Sequence, residues 1–203
     1  MRFLPAMVCT ALLLSLTGCD DAGAGDDSLD GRVVTYRGHS TAESMEPTIM
    51  SGDALVATEV PVSGLRVGDV VVYDNPGGWL AVDEHEGQLV HRVIGTAGDI
   101  VTCCGPDGGV AVNGEPLDES YLGRDAEPCD AAIDRWMTAR NTDLRGPCDW
   151  TVGPVPEDTV FVLGDNREHA ADSRVHICPA ADEPCVESPW VPLDLVRGVV
   201  QLP

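Results

Sequence analysis

The residues able to do covalent chemistry fall into three short stretches. The first is Ser44-Met45-Glu46-Pro47-Thr48, followed by Ser51-Gly52-Asp53. The second is His91-Arg92-Val93-Ile94-Gly95, leading to Gly98-Asp99. The third is Gly164-Asp165-Asn166-Arg167, leading to Asp172-Ser173-Arg174. A serine hydroxyl is a weak nucleophile until a base takes its proton. The chain has 12 basic residues, and every one is arginine. With no lysine, the candidate bases are the five histidines. Pro47, three residues after Ser44, restricts φ and favours a sharp turn that would hold the serine at a strand end.

His91 lies in an alternating run in which Leu89, His91 and Val93 share one face, so its imidazole points to an apolar, buried side. A buried imidazole needs a partner for each nitrogen. An acid from a third segment would set its tautomer, as in serine–histidine–acid triads. Asp165 and Asp172 are the two candidates. His169 is a rival base, because it falls inside the third stretch. His39, His85 and His176 stand in loop-like contexts. Asp53, Asp69 and Asp99 each follow a glycine and read as turn caps.

Short, Val-rich runs punctuated by Gly, Pro, Asn and Asp must position these groups. Strands are expected over 53–60, 67–73, 88–94, 99–103, 109–113, 159–163 and 196–202. Asn113-Gly114 is a hairpin-turn signal. Only 130–140 looks helical, with Asp130 as its cap and Ile133, Trp136, Met137 and Arg140 on one face. The expectation is a mostly-β, Greek-key-like or barrel-like domain with a loop-rich insertion around 101–154.

The three stretches, in this order and with these strand contexts, resemble the boxes of type I signal peptidases over roughly residues 36–202. Cys103-Cys104, Val112 through Glu119, and Tyr121-Leu122 resemble the actinobacterial branch in particular. The resemblance implies an antiparallel β-sheet catalytic core with an inserted cap. It also implies a serine endopeptidase that cuts signal peptides from exported preproteins after small-x-small sites, without cofactor or metal.

By position Ser44 matches the nucleophile. His91 stands where bacterial members usually carry a lysine base, and in this it resembles the endoplasmic-reticulum and archaeal branches. A lysine must be desolvated by several pKa units to be neutral near pH 7, whereas histidine starts near 6.5. Asp172 matches the acid that supports a histidine base, with Arg174 its neighbour. Asp165 and Asn166 read as turn-formers that shape the site.

Ala42 stands two residues before Ser44, where some members carry a hydroxyl for the oxyanion, which leaves that role to the Ser44 main-chain N–H. Ala170 replaces a serine that orients the lysine in lysine-type enzymes, so base and support change together. An extended substrate would add beside Ser40, Thr41, Ala42 and Glu43 and beside Leu89 and Val90, a form of β-augmentation. Met45 is a pocket or membrane-facing contact in this reading. The alternatives are a narrow-client processing protease of the same fold, and a catalytically silent lipoprotein that keeps the groove as a peptide-binding module.

The N-terminus reads as an export signal. Met1-Arg2 precedes an apolar run over 3–16, too short to span a bilayer of about 30 Å. It ends in Leu16-Thr17-Gly18-Cys19, which resembles a bacterial lipobox. Residues 1–18 would then be the signal peptide, Cys19 the lipidated residue, 19–31 an acidic tether, and 32–203 the catalytic domain. Each buried CH₂ of an acyl chain contributes roughly 0.8 kcal/mol of membrane binding. The expected location is the extracytoplasmic face of the cell membrane, as a lipid-anchored monomer.

Of eight cysteines, Cys9 lies in the signal peptide and Cys19 in the lipobox. The other six favour disulfides in an oxidising compartment. Cys129–Cys148 and Cys178–Cys185 are candidate local staples. Cys103-Cys104 reads either as a vicinal disulfide or as two thiols, and zinc binding is the rival reading of the cysteines. With 34 acids the net charge is −22, which argues against binding nucleic acid or docking on an anionic bilayer by charge.

Overall fold

The computed structural model describes residues 33–37, 43–59, 61, 64–79, 87–104, 109–123, 150–167, 169–177 and 188–202. The expected helix at 130–140, the N-terminal signal and tether, and the Cys129–Cys148 and Cys178–Cys185 pairs lie outside them. Among the described residues, helix is limited to short 3-10 turns, and none is long and apolar enough to cross a membrane.

Among the described residues, eleven strands form two antiparallel sheets. They are β1 (Val33–Arg37), β2 (Ala54–Thr58), β3 (Val70–Asp74), β4 (Gln88–Gly95), β5 (Val101–Cys103), β6 (Val110–Val112), β7 (Glu115–Pro116), β8 (Trp150–Val152), β9 (Thr159–Leu163), β10 (Val191–Pro192) and β11 (Val196–Val200). The larger sheet runs β1-β2-β11-β3-β4-β9-β10, and the smaller β7-β6-β5-β8. The smaller sheet falls between β4 and β9 in the chain, within the stretch expected to be inserted. Each strand expected from the sequence has a counterpart, with ends that differ by no more than three residues. The sequence reading passed over β1, β7, β8 and β10, of which the last three are only two or three residues long.

The three acidic turn caps behave alike. A side-chain Oδ2 accepts the backbone N–H three residues earlier: Met50 to Asp53 at 2.9 Å, Arg66 to Asp69 at 2.8 Å and Thr96 to Asp99 at 2.8 Å. At the β6–β7 turn Asn113 and Gly114 take φ of 53° and 83°, the left-handed pair that a two-residue hairpin requires.

β3 reads VVVYD and is buried on both faces, which explains its continuous apolar run. Val70 and Val72 join Met45, Ile49, Leu55, Ala57, Val90 and Val200 on one side. Val71 and Tyr73 join Trp79, Val93, Val160, Val162 and Val191 on the other. A third cluster, including Ile94, Val101, Val110, Phe161 and Leu163, joins the two sheets. Burying one such Val or Leu side chain contributes about 1.5–3 kcal/mol. Among the described residues the core is thus chiefly Val, with Leu55 and Leu163 its buried leucines, in a chain of only nine aromatic residues.

Candidate active site

Ser44 is the middle residue of a 3-10 turn, Glu43–Met45. The turn closes through Glu46 N–H to Glu43 C=O at 3.1 Å, and Ile49 N–H reaches Met45 C=O at 2.9 Å. Met45 is only 1% exposed and, with Ile49, seats the turn in the core. This corrects the expectation that Met45 faces a pocket or the membrane: apolar residues four apart anchor the serine from below. Ser44 itself is half-buried and Glu43 is exposed.

The turn is fastened from the third stretch. Asn166 N–H donates to the Ser44 carbonyl at 2.9 Å. Gly164 passes so close that a Cβ there would lie 2.5 Å from the Ser44 carbonyl oxygen and 2.3 Å from Ala170 Cβ. Both distances are far inside van der Waals contact. Gly164→Ala should therefore cost about 1–3 kcal/mol, as overpacking does, measured by urea denaturation. A variant as stable as the parent would mean that this loop does not press on the serine turn.

The turn also packs against β4. There His91 is 1% exposed. Burial drives its pKa down to about 4, with the charge of Asp172 pulling the other way. The sequence expectation of a base near 6.5 is corrected accordingly, because desolvation of the imidazolium outweighs the nearby carboxylate. The Nδ1 atom of His91 lies 2.6 Å from the hydroxyl of Tyr73. Tyr73 is fully buried, and desolvation, then the charge of Asp172, holds its phenol well above the ordinary value.

Tyr73 escaped the sequence reading. His91 pairs with Val71 across β3 and β4, which makes Tyr73 its diagonal neighbour on the same face. Such diagonals lie within reach of aromatic side chains. The signal was present in the alternation of Val71 and Tyr73, but it could be used only with the β3–β4 register in hand.

Asp172, expected against His91, is engaged elsewhere. It caps a 3-10 turn, Ser173–His176. Its Oδ1 accepts Arg174 N–H at 3.0 Å and Arg174 Nε–H at 2.9 Å. Its Oδ2 accepts Arg174 Nη2–H at 2.8 Å and Gly164 N–H at 2.9 Å. Burial alone would raise this carboxyl, but Arg174, His91 and the Gly164 N–H hold it below the usual value.

Asp165 is more than a turn-former. It is 1% exposed and pairs with Arg92 through Nε at 2.8 Å and Nη2 at 2.6 Å, while Thr48 Oγ1 donates to it at 2.5 Å. One carboxylate therefore ties the serine stretch, the histidine stretch and the third stretch together. Arg92 carries the ring of Tyr121, 3.9 Å from its guanidinium, and Arg167 reaches Glu119 at 2.5 Å, so the 109–123 segment is docked here too. Burial is the main reason the Tyr121 phenol is pushed up to about 12.

Leu89 is half-buried, whereas Val90 is buried in the core, so only the backbone of Val90 is available to a substrate. Residues 88–90 pair with β3 on one side, while β9 begins its pairing with β4 at Arg92. Ser40, Thr41 and Ala42 lie outside the described residues. His169 is exposed, its N–H held by the Asn166 carbonyl at 3.0 Å. His176, expected in a loop, is 5% exposed and stacks on Trp79 with ring centroids 4.4 Å apart. Cys103 and Cys104 have Sγ atoms 2.6 Å apart, and Cys104 is disulfide-bonded.

An antiparallel β scaffold thus gathers the serine, histidine and aspartate stretches at one place. A sequence model of the family described as signal peptidase, peptidase S26, matches residues 32–203, and the chain belongs to that family. Signal peptidase I of Mycobacterium tuberculosis (strain ATCC 25618 / H37Rv) is 32% identical over 198 residues, covering 79% of this chain and 62% of that protein. Probable signal peptidase I of Mycobacterium leprae (strain TN) is 34% identical over 176 residues, covering 70% and 56%. The chain thus spans about three fifths of the length of these relatives. The crystal structure of a signal peptidase I from Enterococcus faecalis V583 is 22% identical, with a TM-score of 0.40, covering 70% of this chain and 98% of that one.

Proposed function

We propose that the chain is a serine endopeptidase that removes signal peptides from exported preproteins after small-x-small residues. The observation that carries this reading is the fastening of the Ser44 turn to the Gly164–Asn166 loop and its packing against β4, the strand that carries the buried His91. Ser44 Oγ attacks the scissile carbonyl as His91 takes its proton. His91 then protonates the leaving amine, and water, activated by the same imidazole, hydrolyses the acyl-enzyme. Asp172 contributes negative charge that offsets the transient imidazolium, and Arg174 fixes Asp172. The Ser44 N–H serves the oxyanion. The substrate adds as a strand along residues 88–90 and 40–43. Cys19 carries a lipid that keeps the monomer on the extracytoplasmic face of the membrane, where signal peptides emerge.

The pH dependence tests the assignment. A base whose pKa is lowered to about 4 is in its working form above that pH and is lost as pH falls through it. The acid limb of kcat/KM for a peptide with an Ala-x-Ala site, cleaved by the full chain from pH 3 to 9, should lie near 4. A fluorophosphonate probe should label Ser44. An acid limb at or above 6.5 would contradict a desolvated His91 as base. No cleavage and no Ser44 labelling by a folded chain would overturn the reading as a whole.

A further inference from the structure

The hydrogen bond at His91 Nδ1 comes from a phenol, and no described carboxylate makes it. Asp172 has its two oxygens occupied by Arg174 and the Gly164 N–H, which fills the acceptor sites a carboxylate offers. Asp165 is turned to Arg92 and Thr48, which donate three hydrogen bonds to it. Tyr73 is 0% exposed and keeps its proton, so it meets the imidazole as a neutral group. Two arrangements satisfy a 2.6 Å contact between a phenol and an imidazole nitrogen. Either the phenol donates to a bare Nδ1, which puts the ring proton on Nε2, or Nδ1–H donates to the phenol oxygen, which leaves Nε2 with its lone pair. Only the second leaves a basic nitrogen for Ser44. Once His91 has taken the serine proton, both ring nitrogens are protonated, and Nδ1–H must then be accepted by Tyr73.

We propose that Tyr73 is the positioning residue of the histidine base: its phenol oxygen accepts Nδ1–H of His91 and fixes the tautomer that presents Nε2 to Ser44, in the place a carboxylate holds in a serine–histidine–acid triad. The inference rests on the reading of Ser44 and His91 as nucleophile and base. It explains why the imidazole is not raised in pKa. A paired carboxylate would stabilise the imidazolium strongly, whereas a neutral oxygen does so weakly and leaves burial dominant. The charges around the imidazole are Asp172 and Asp165, which favour the protonated ring, and Arg174 and His176, which oppose it.

The test combines kinetics with nitrogen NMR on the full chain labelled with ¹⁵N-histidine. The unmodified protein at pH 7 should show His91 protonated at Nδ1 and bare at Nε2. Tyr73→Phe keeps the ring and removes the oxygen. It should lower kcat about 10–100-fold with KM within about twofold. It should also move the acid limb down by about one pH unit, because the imidazolium loses its acceptor. A packing defect alone would leave the limb where it was. A proton on Nε2 in the unmodified protein overturns the proposal even if the variant fails to fold. Unchanged kcat and an unchanged limb in Tyr73→Phe overturn it while leaving the Ser44–His91 assignment intact. Absence of any Ser44-dependent cleavage in the unmodified protein instead removes the functional reading, and with it the catalytic part of this one.

Discussion

Ser44→Ala should lower kcat by about 10⁴–10⁶ and leave the folded state nearly untouched. The two halves of this result come from different atoms of the same residue. The fold uses the main chain of Ser44, whose carbonyl accepts Asn166 N–H at 2.9 Å. Among the described residues the hydroxyl takes part in no hydrogen bond. Removing it therefore breaks nothing that holds the turn, and the change in stability should stay within about 0.5 kcal/mol. Peptide cleavage and urea denaturation of the same preparation read both halves. A variant that keeps a tenth of its activity would mean that another group attacks. A variant that loses several kcal/mol would mean that the hydroxyl has a structural partner.

Asp165→Ala should have the opposite profile, with its largest effect on stability. Its carboxylate takes both Nε and Nη2 of Arg92 and the hydroxyl of Thr48, with Asp165 and Arg92 buried and Thr48 half-buried. Removing it leaves a guanidinium 6% exposed with no carboxylate among the described residues facing it. Breaking a buried ion pair from one side costs about 3–5 kcal/mol, because a charge is stranded. That is a large share of the 5–15 kcal/mol typical of a domain. The pairing makes a second, sharper statement. Arg92→Met combined with Asp165→Ala should be more stable than Asp165→Ala alone, since the stranded charge is gone. Chemical denaturation of the two single variants and the double variant decides it. A single-variant loss under about 1 kcal/mol would show that water reaches Arg92 and screens it.

Much of this arrangement was legible from residue types. Short Val-rich runs mark most strands of the larger sheet, and the absence of lysine turns attention to His91 among five histidines. Glycine followed by aspartate identifies three turns whose hydrogen bonds follow one pattern. What escaped depends on register. Tyr73 closes a run of valines and reads as core, and only the pairing of Val71 with His91 brings its hydroxyl to the imidazole. Asp165 and Asp172 are indistinguishable by type. Their roles follow from which arginine each meets, Arg92 from a distant strand or Arg174 two residues away. Met45 misled for a related reason: a residue beside a candidate nucleophile invites a functional role, while its burial depends on Ile49, Val70 and Val90 converging on it.

The strand order has a temporal side. β11 is inserted between β2 and β3, which are themselves separated by a short stretch of chain. A ribosome that has released everything through β9 has therefore delivered two strands whose facing edges have no partner. The central pairing must wait for residues 196–200 to arrive from far along the chain. Sheets dominated by such distant pairings close slowly, since loop entropy is lost before the contacts reward it. The Ser44 turn sits through Met45 in a cluster with Leu55, Val70 and Val200, so its seat is complete only once β11 is in place. A protein with its own β2–β3 hairpin would complete that seat early in synthesis.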